Sequence, residues 1–203
     1  MSEPAEIADH AEEVAPGLWH WRISNSAIGG AISSSHAVAA GDGCVLVDPV
    51  RLEPLALPPP VAIVLTATTH QRSSWRYRDE LGIEVWLPED ARAGDEEPDV
   101  RYAEGDVLPG ALLAFRTPGP EQAHYSFLLE RDPGVLFCSD LLLNDGDRDL
   151  AFVPPEFHED PDETRRSVEK LLDLPFAILC LDHGAPIVDD PKSAIRDLLD
   201  ATA

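Results

Sequence analysis

Four residues on separate stretches of the chain carry side chains that bind metal ions or move protons. They are His70 in Thr66-Ala-Thr-Thr-His70, His124 closing Thr117-Pro-Gly-Pro-Glu-Gln-Ala-His124, Asp140 in Phe137-Cys-Ser-Asp140, and His183 in Asp182-His183-Gly184. Imidazoles and carboxylates that converge with one position open to water are what a divalent ion needs to bring the pKa of that water to about 7 and polarise the bond under attack. Each residue also has a plainer use. His70 suits a helix start facing solvent, His124 a hydrogen-bonded core position before an apolar strand, Asp140 the amides of the next loop, and His183 its own turn. Asp48 ends the apolar run Cys44-Val-Leu-Val47 before Pro49, where it either caps a turn or orients residues at a neighbouring strand end.

Other chemistries have less support. Ser73, Ser74, Ser126 and Ser139 lack a Gly-x-Ser-x-Gly turn, and the glycines form neither a phosphate loop nor a dinucleotide fingerprint. Cys44, Cys138 and Cys180 are odd in number, contain no Cys-x-x-Cys pair and lie in or beside apolar runs, as reduced core residues do. Trp19, Trp21, Trp75 and Trp86 fall at strand and helix positions that favour the core over a cleft. Glu156, His158, Glu159 and Asp160 follow Pro154-Pro155 as a polar loop, with covering a site as the alternative use.

The chain has 38 acidic and 15 basic residues and a formal net charge of -23, which makes nucleic acid and anionic membrane poor partners and disfavours anionic ligands. No segment approaches about 18 consecutive apolar residues, and the N-terminus lacks a basic stretch leading into an apolar one. The expected location is cytoplasmic.

The elements that would position these residues follow from the hydrophobic pattern. Residues 1–13 are mainly Ala, Glu and Asp and suggest a flexible tail; residues 14–203 read as one domain. Alternating side chains from Val14 to Ile23, the segment Ala31 to Ala39, and Cys44 to Val47 after Gly41-Asp-Gly43 predict three strands in a meander. Val61 to Leu65 predicts a buried strand, followed by a helix over 72–81 capped by Gly82 and a strand over 83–86. Strands are expected over 111–116, 125–129, 135–138 and 176–180, and helices over 162–172 and 192–199. Two sheets packed face to face with helices outside satisfy that order.

The chain resembles the metallo-β-lactamase superfamily. The resemblance rests on Pro16-Gly-Leu-Trp19, Leu46-Val-Asp48, Ile63-Val-Leu-Thr66, Thr117-Pro-Gly119, Phe137-Cys-Ser-Asp140-Leu-Leu and Asp182-His183-Gly184, in the family's order over residues 14 to 199. It implies a four-layer αβ/βα sandwich of the α/β class, with two mixed β-sheets and helices outside. Active members hold one or two ions, usually zinc and sometimes iron or manganese, and direct an activated water at esters, amides, thioesters or phosphodiesters. The family's His-x-His-x-Asp-His motif falls here on Ala67, Thr69, Gln71 and Arg72, and a third histidine on Pro120. Asp140 and His183 match the bridging carboxylate and the late histidine.

The resemblance therefore implies a family member that has lost the dinuclear zinc site and hydrolase activity, binds no cofactor, and keeps a cleft for a small molecule or protein partner. The alternative is a metal-dependent hydrolase with a rearranged mononuclear site built from His70, Asp140, His183 and His124. A homo-oligomer is a further expectation.

Overall fold

Alternation along single strands builds the layers. In the strand Gly43–Val47, Val45 and Val47 face a core between two sheets, while Cys44 and Leu46 face a second core outside, and all four are fully buried. A strand apolar on both faces needs cover on both sides. The computed structural model describes residues 3–92, 94–144 and 150–202.

The first sheet has seven strands in sequence order: β1 (Glu12–Ala15), β2 (Leu18–Asn25), β3 (Ala31–Ala40), β4 (Gly43–Val47), β5 (Pro60–Val64), β6 (Glu84–Pro88) and β7 (Val100–Tyr102). It is antiparallel from β1 to β4 and parallel from β4 to β7. The change to parallel pairing requires crossovers, and α1 (Ser74–Leu81) supplies the one between β5 and β6. In the second half come β8 (Val107–Leu108), β9 (Leu112–Arg116), β10 (Tyr125–Leu129), β11 (Val135–Phe137), the small pair β12 (Leu142–Leu143) and β13 (Ala151–Phe152), α2 (Pro161–Leu171), β14 (Ile178–Cys180) and α3 (Pro191–Ala201). Their five-stranded sheet has the order β14-β11-β10-β9-β8, with β11 and β14 parallel.

Val38, Val45 and Val64 of the first sheet meet Ala114, Phe127 and Phe137 of the second in the central core. Trp75 and Tyr77 of α1 join the outer cluster of the first sheet, and Val168, Leu171 and Ile195 of α2 and α3 join that of the second. The layers are thus helix, sheet, sheet, helix, the expected four-layer αβ/βα sandwich. Among the described residues no helix is long and apolar enough to cross a membrane.

Several boundaries differ from those expected. Residues 3–13 run along the sheet rather than away from it: Ala8 is buried and bridges Leu52, and Glu12 and Glu13 pair with β2. Backbone hydrogen bonds hold this segment, and acidic composition does not report them. The first helix begins at Ser74 instead of 72, because Arg72 adopts a left-handed backbone with φ 43. β7, β8, β12 and β13 are too short to show a period in sequence.

Candidate metal-binding site

The candidate residues gather where strands of both sheets end. Asp48 follows β4, Thr66 and His70 follow β5, Ser139 and Asp140 follow β11, and Asp182 and His183 follow β14. Open α/β sheets place ligands outside the carboxyl ends of their parallel strands because side chains from several strands reach the same space there. Asp48, Arg72 and Ser139 all have left-handed backbones, with φ 46, 43 and 53. Such conformations cost about 1–3 kcal/mol each and persist where surrounding contacts impose them.

Those contacts are specific. The Asp48 carboxylate, fully buried, accepts from the Thr66 backbone N–H at 2.9 Å and from its hydroxyl at 2.6 Å. Arg72, also buried, donates from Nη1 to the backbone oxygens of Ser34 and Asp48, and Nη2 lies 3.3 Å from Asp182 Oδ2. The 182–184 turn is fastened to β3, where the Ser34 N–H donates to Asp182 O at 2.7 Å and the Ser34 hydroxyl donates to Gly184 O at 2.7 Å. Gly184 has φ +130, and a Cβ there would run into the backbone of Asn144, so glycine is required.

His70 stands at the centre. Its Nδ1 lies 2.9 Å from Asp182 Oδ2, 2.9 Å from Thr66 Oγ1, 3.1 Å from Ser139 Oγ and 3.4 Å from Asp48 Oδ2. Its Nε2 lies 3.0 Å from Asp140 Oδ2, and the other oxygen of that carboxylate is 3.0 Å from His183 Nε2. His183 Nδ1 in turn donates to the Ile32 carbonyl at 2.5 Å. Both histidines therefore place Nδ1 beside oxygen partners and Nε2 3.0 Å from one oxygen each of the same carboxylate.

The electrostatics follow from this crowding. Burial alone would lower the His70 pKa, but Asp140 and Asp182 outweigh burial and Arg72 together and hold it well above 6.5. Burial would raise Asp140, yet His70 and His183 pull it well below the usual carboxylate range. His183 is raised because its hydrogen bond to Asp140 overcomes burial. Asp48 is lowered in the same way, burial being outweighed by His70 and Arg72. Three carboxylates against one guanidinium leave a deficit of two positive charges, which either two imidazolium protons or one divalent ion can supply.

The donor set fits a single ion. His70, Asp140 and His183 each offer an atom within 4.8 Å of the others. A ligating histidine needs its second nitrogen held by a carboxylate or backbone carbonyl, and both have that. Three protein donors leave positions open for water or substrate. The grouping of Asp48, His70 and Asp182 is less suitable, because Thr66 occupies both Asp48 oxygens and His70 would have to turn its Nδ1 from donor to ligand. At the positions matching the family's other ligands, Gln71 Oε1 accepts from Trp75 Nε1 and the Asp95 N–H, Arg72 braces the acidic groups, and the Pro120 carbonyl accepts from the Glu159 N–H.

Of the four residues singled out from sequence, three converge. His124 is buried and lies outside the cluster: its Nδ1 is 2.8 Å from Thr117 O, its Nε2 has no partner among the described residues, and burial lowers its pKa to about 4. His70 does not face solvent, being 3% exposed. The sequence pattern gave Asp182 no role beyond its turn and Arg72 none beyond standing at a family ligand position; adjacency of Asp182 to His183 at a strand end was the available signal. Asp160 caps α2 through the Glu163 N–H at 2.9 Å, and Glu159 accepts from the Gln122 N–H, so part of the polar loop packs on the 117–124 turn.

Above the three donors lies a cleft of about 370 Å³. Ile28, Ile32, Leu143, Val153 and Phe157 form its walls. Trp21 and Trp75 belong to the core, as expected, and none of the four tryptophans lines this cleft.

The sequence matches the metallo-beta-lactamase superfamily over residues 52–183. The chain belongs to that superfamily. Its fold is similar to that of the DIM-1 metallo-beta-lactamase, with a TM-score of 0.74 at 13% identity over 98% of this chain and 99% of that one. A metallo-beta-lactamase from Pontibacter korlensis aligns with a TM-score of 0.72 at 15% identity, covering 94% and 98% of the two chains. A metallo-beta-lactamase family protein from Thermus thermophilus gives 0.70 at 19% identity, covering 94% and 80%. At these identities the likeness extends to the fold. No curated protein matches the sequence.

Proposed function

We propose that this protein is a metal-dependent hydrolase that works with one divalent ion held by His70, Asp140 and His183. The observation that carries this reading is the convergence of both Nε2 atoms to 3.0 Å from opposite oxygens of Asp140, with each Nδ1 beside an oxygen acceptor. Zinc, iron or manganese in this site would supply a water of lowered pKa and an electrophile for a carbonyl or phosphoryl oxygen.

The chain's own residues set the conditions for that chemistry. Asp182 holds the Nδ1 proton of His70 and so presents the Nε2 lone pair, and the Ile32 carbonyl does the same for His183. Arg72 offsets one negative charge and fixes Asp182. The apolar walls limit water around the reacting bond, which strengthens polar interactions within the site.

A second reading keeps the cleft and gives up the chemistry. It is favoured by the absence of the usual metal donors at Ala67, Thr69 and Pro120 and by the presence of Arg72, since protonated His70 and His183 would supply the two positive charges that the acidic cluster lacks without metal. Elemental analysis of protein prepared without chelator separates the two. The hydrolase reading requires close to one zinc, iron or manganese per chain, removed by His183→Ala. Metal below about 0.1 per chain after reloading leaves the metal-free reading.

A further inference from the structure

The turn that carries His70 has no cap of its own. It is a three-residue 3-10 turn, Thr68–His70, and Ala67 before it has no side chain that could accept from the first N–H groups. A turn this short has little internal hydrogen bonding to hold its shape, and here the His70 N–H reaches Ala67 O at 3.2 Å. The Thr68 N–H is taken instead by Glu121 Oε1 at 3.0 Å, from 53 residues away in sequence, and the Thr68 hydroxyl donates to Arg92 O at 3.0 Å.

Glu121 is offered by a loop that is held from behind. Ser167 of α2 donates its hydroxyl to Pro118 O at 2.8 Å, and the Glu159 and Asp160 N–H groups donate to Pro120 O and Gly119 O at 3.2 and 3.0 Å. A Cβ at Gly119, whose φ is +138, would strike the backbone of Thr164. Where the loop ends, the Tyr125 N–H donates to Thr66 O at 3.0 Å. Pro120 has no side-chain atom to offer a metal, and the next residue reaches the site by another route. The Glu121 carboxyl is half-buried; burial raises its pKa, opposed chiefly by the nearby charge of His70 and by the Thr68 N–H.

We infer that Glu121 is a positioning residue for the metal site: its carboxylate caps the 68–70 turn from across the fold and fixes His70 where its Nε2 meets Asp140. The inference rests on the hydrolase reading for its effect on an ion, and on the Thr68 contact alone for the placing of His70.

Glu121→Ala, Glu121→Gln and Glu159→Ala form the test. Glutamine keeps an acceptor for Thr68 and alanine does not, while Glu159→Ala removes an exposed carboxylate that serves the same loop through the Gln122 N–H instead. Zinc affinity, read by competition with a chelating dye, should fall about tenfold or more in Glu121→Ala and stay within about threefold in the other two. In metal-free protein, hydrogen exchange of the Thr68 amide should rise about tenfold or more in Glu121→Ala alone, with the amides of β4 and β10 unchanged, and the His70 ring resonances should shift in that variant alone. Should Glu121→Ala fail to fold, Glu121→Asp, which withdraws the carboxylate by one methylene, takes its place with the same expectations. Unchanged Thr68 exchange, a rise shared by the β4 and β10 amides, an equal loss of affinity in Glu121→Gln or Glu159→Ala, or unchanged affinity in a protein that binds zinc overturns the inference. Thr68 exchange and His70 resonances that respond as expected in a protein that takes up no zinc leave the placing of His70 by Glu121 standing and sink the hydrolase reading alone.

Discussion

Replacing His36 with phenylalanine should make the protein more resistant to acid by a calculable amount. His36 lies on β3 opposite His20 of β2, is fully buried, and has no hydrogen-bond partner at either ring nitrogen among the described residues. Its ring is 5.3 Å from that of His20 and 5.4 Å, edge-on, from Phe137. Burial is the chief reason its pKa falls from 6.5 to about 3, with the charges of His20 and Arg72 lowering it and Asp182 raising it. Between those two values the unfolded chain binds a proton that the fold refuses, so stability is lost as pH falls below 6.5. At about pH 5.5, one unit below the unfolded pKa, the loss from this residue is about 1.4 kcal/mol, and at about pH 7.5 it is close to zero. The lower value also stays above the sequence pI of 4.4, where solubility would fail. Urea unfolding of both proteins at the two pH values gives the test. His36→Phe should gain about 1.4 kcal/mol more, relative to the original protein, at the lower pH than at the higher. Packing changes cancel in that difference. A pH-dependent difference under about 0.3 kcal/mol would refute a buried, neutral His36.

Three further outcomes concern the site. Asp182→Asn should weaken zinc binding by about 10–100-fold in competition with a chelating dye, because it replaces the charged oxygen beside His70 Nδ1 with a neutral amide; an affinity within about twofold of the original would deny Asp182 that part. His124→Leu should leave the metal content unchanged by elemental analysis, since its Nδ1 is committed to Thr117, and loss of metal would show that its imidazole reaches the ion. Gly184→Ala should cost about 3 kcal/mol or more in urea unfolding and abolish stoichiometric metal, because the collision with Asn144 displaces the His183 turn; a stable, metal-loaded variant would contradict the close approach seen there.

Much of the layering was legible in the chain itself. Runs such as Cys44 to Val47 and Val61 to Leu65, followed by a helix and the strand ending at Pro88, report burial on both faces and a parallel crossover without any distant contact. The tail was less legible, since Ala8 is held by main-chain hydrogen bonds to Arg51 and Glu53 that any side chain could make. At the site, Asp140 and His183 were visible from their motifs, whereas His70 appeared one position away from the matching ligand place. Arg72's left-handed backbone delays α1 to Ser74, which leaves His70 in a short helical turn before the helix, where it meets the acidic cluster.

The sequence by itself determined the superfamily, the four-layer order and the absence of the usual donors at Ala67, Thr69, Gln71, Arg72 and Pro120. Each is local information, carried by side-chain type and period. Only the tertiary structure decided that His70, Asp140 and His183 meet, that His124 stays apart, and that Asp182 and Ile32 fix the two imidazoles. The reason is geometric: these groups are brought together by the ends of β5, β11 and β14 from two sheets, and their charges take their values from neighbours more than a hundred residues away in sequence, as Arg72 and Asp182 are.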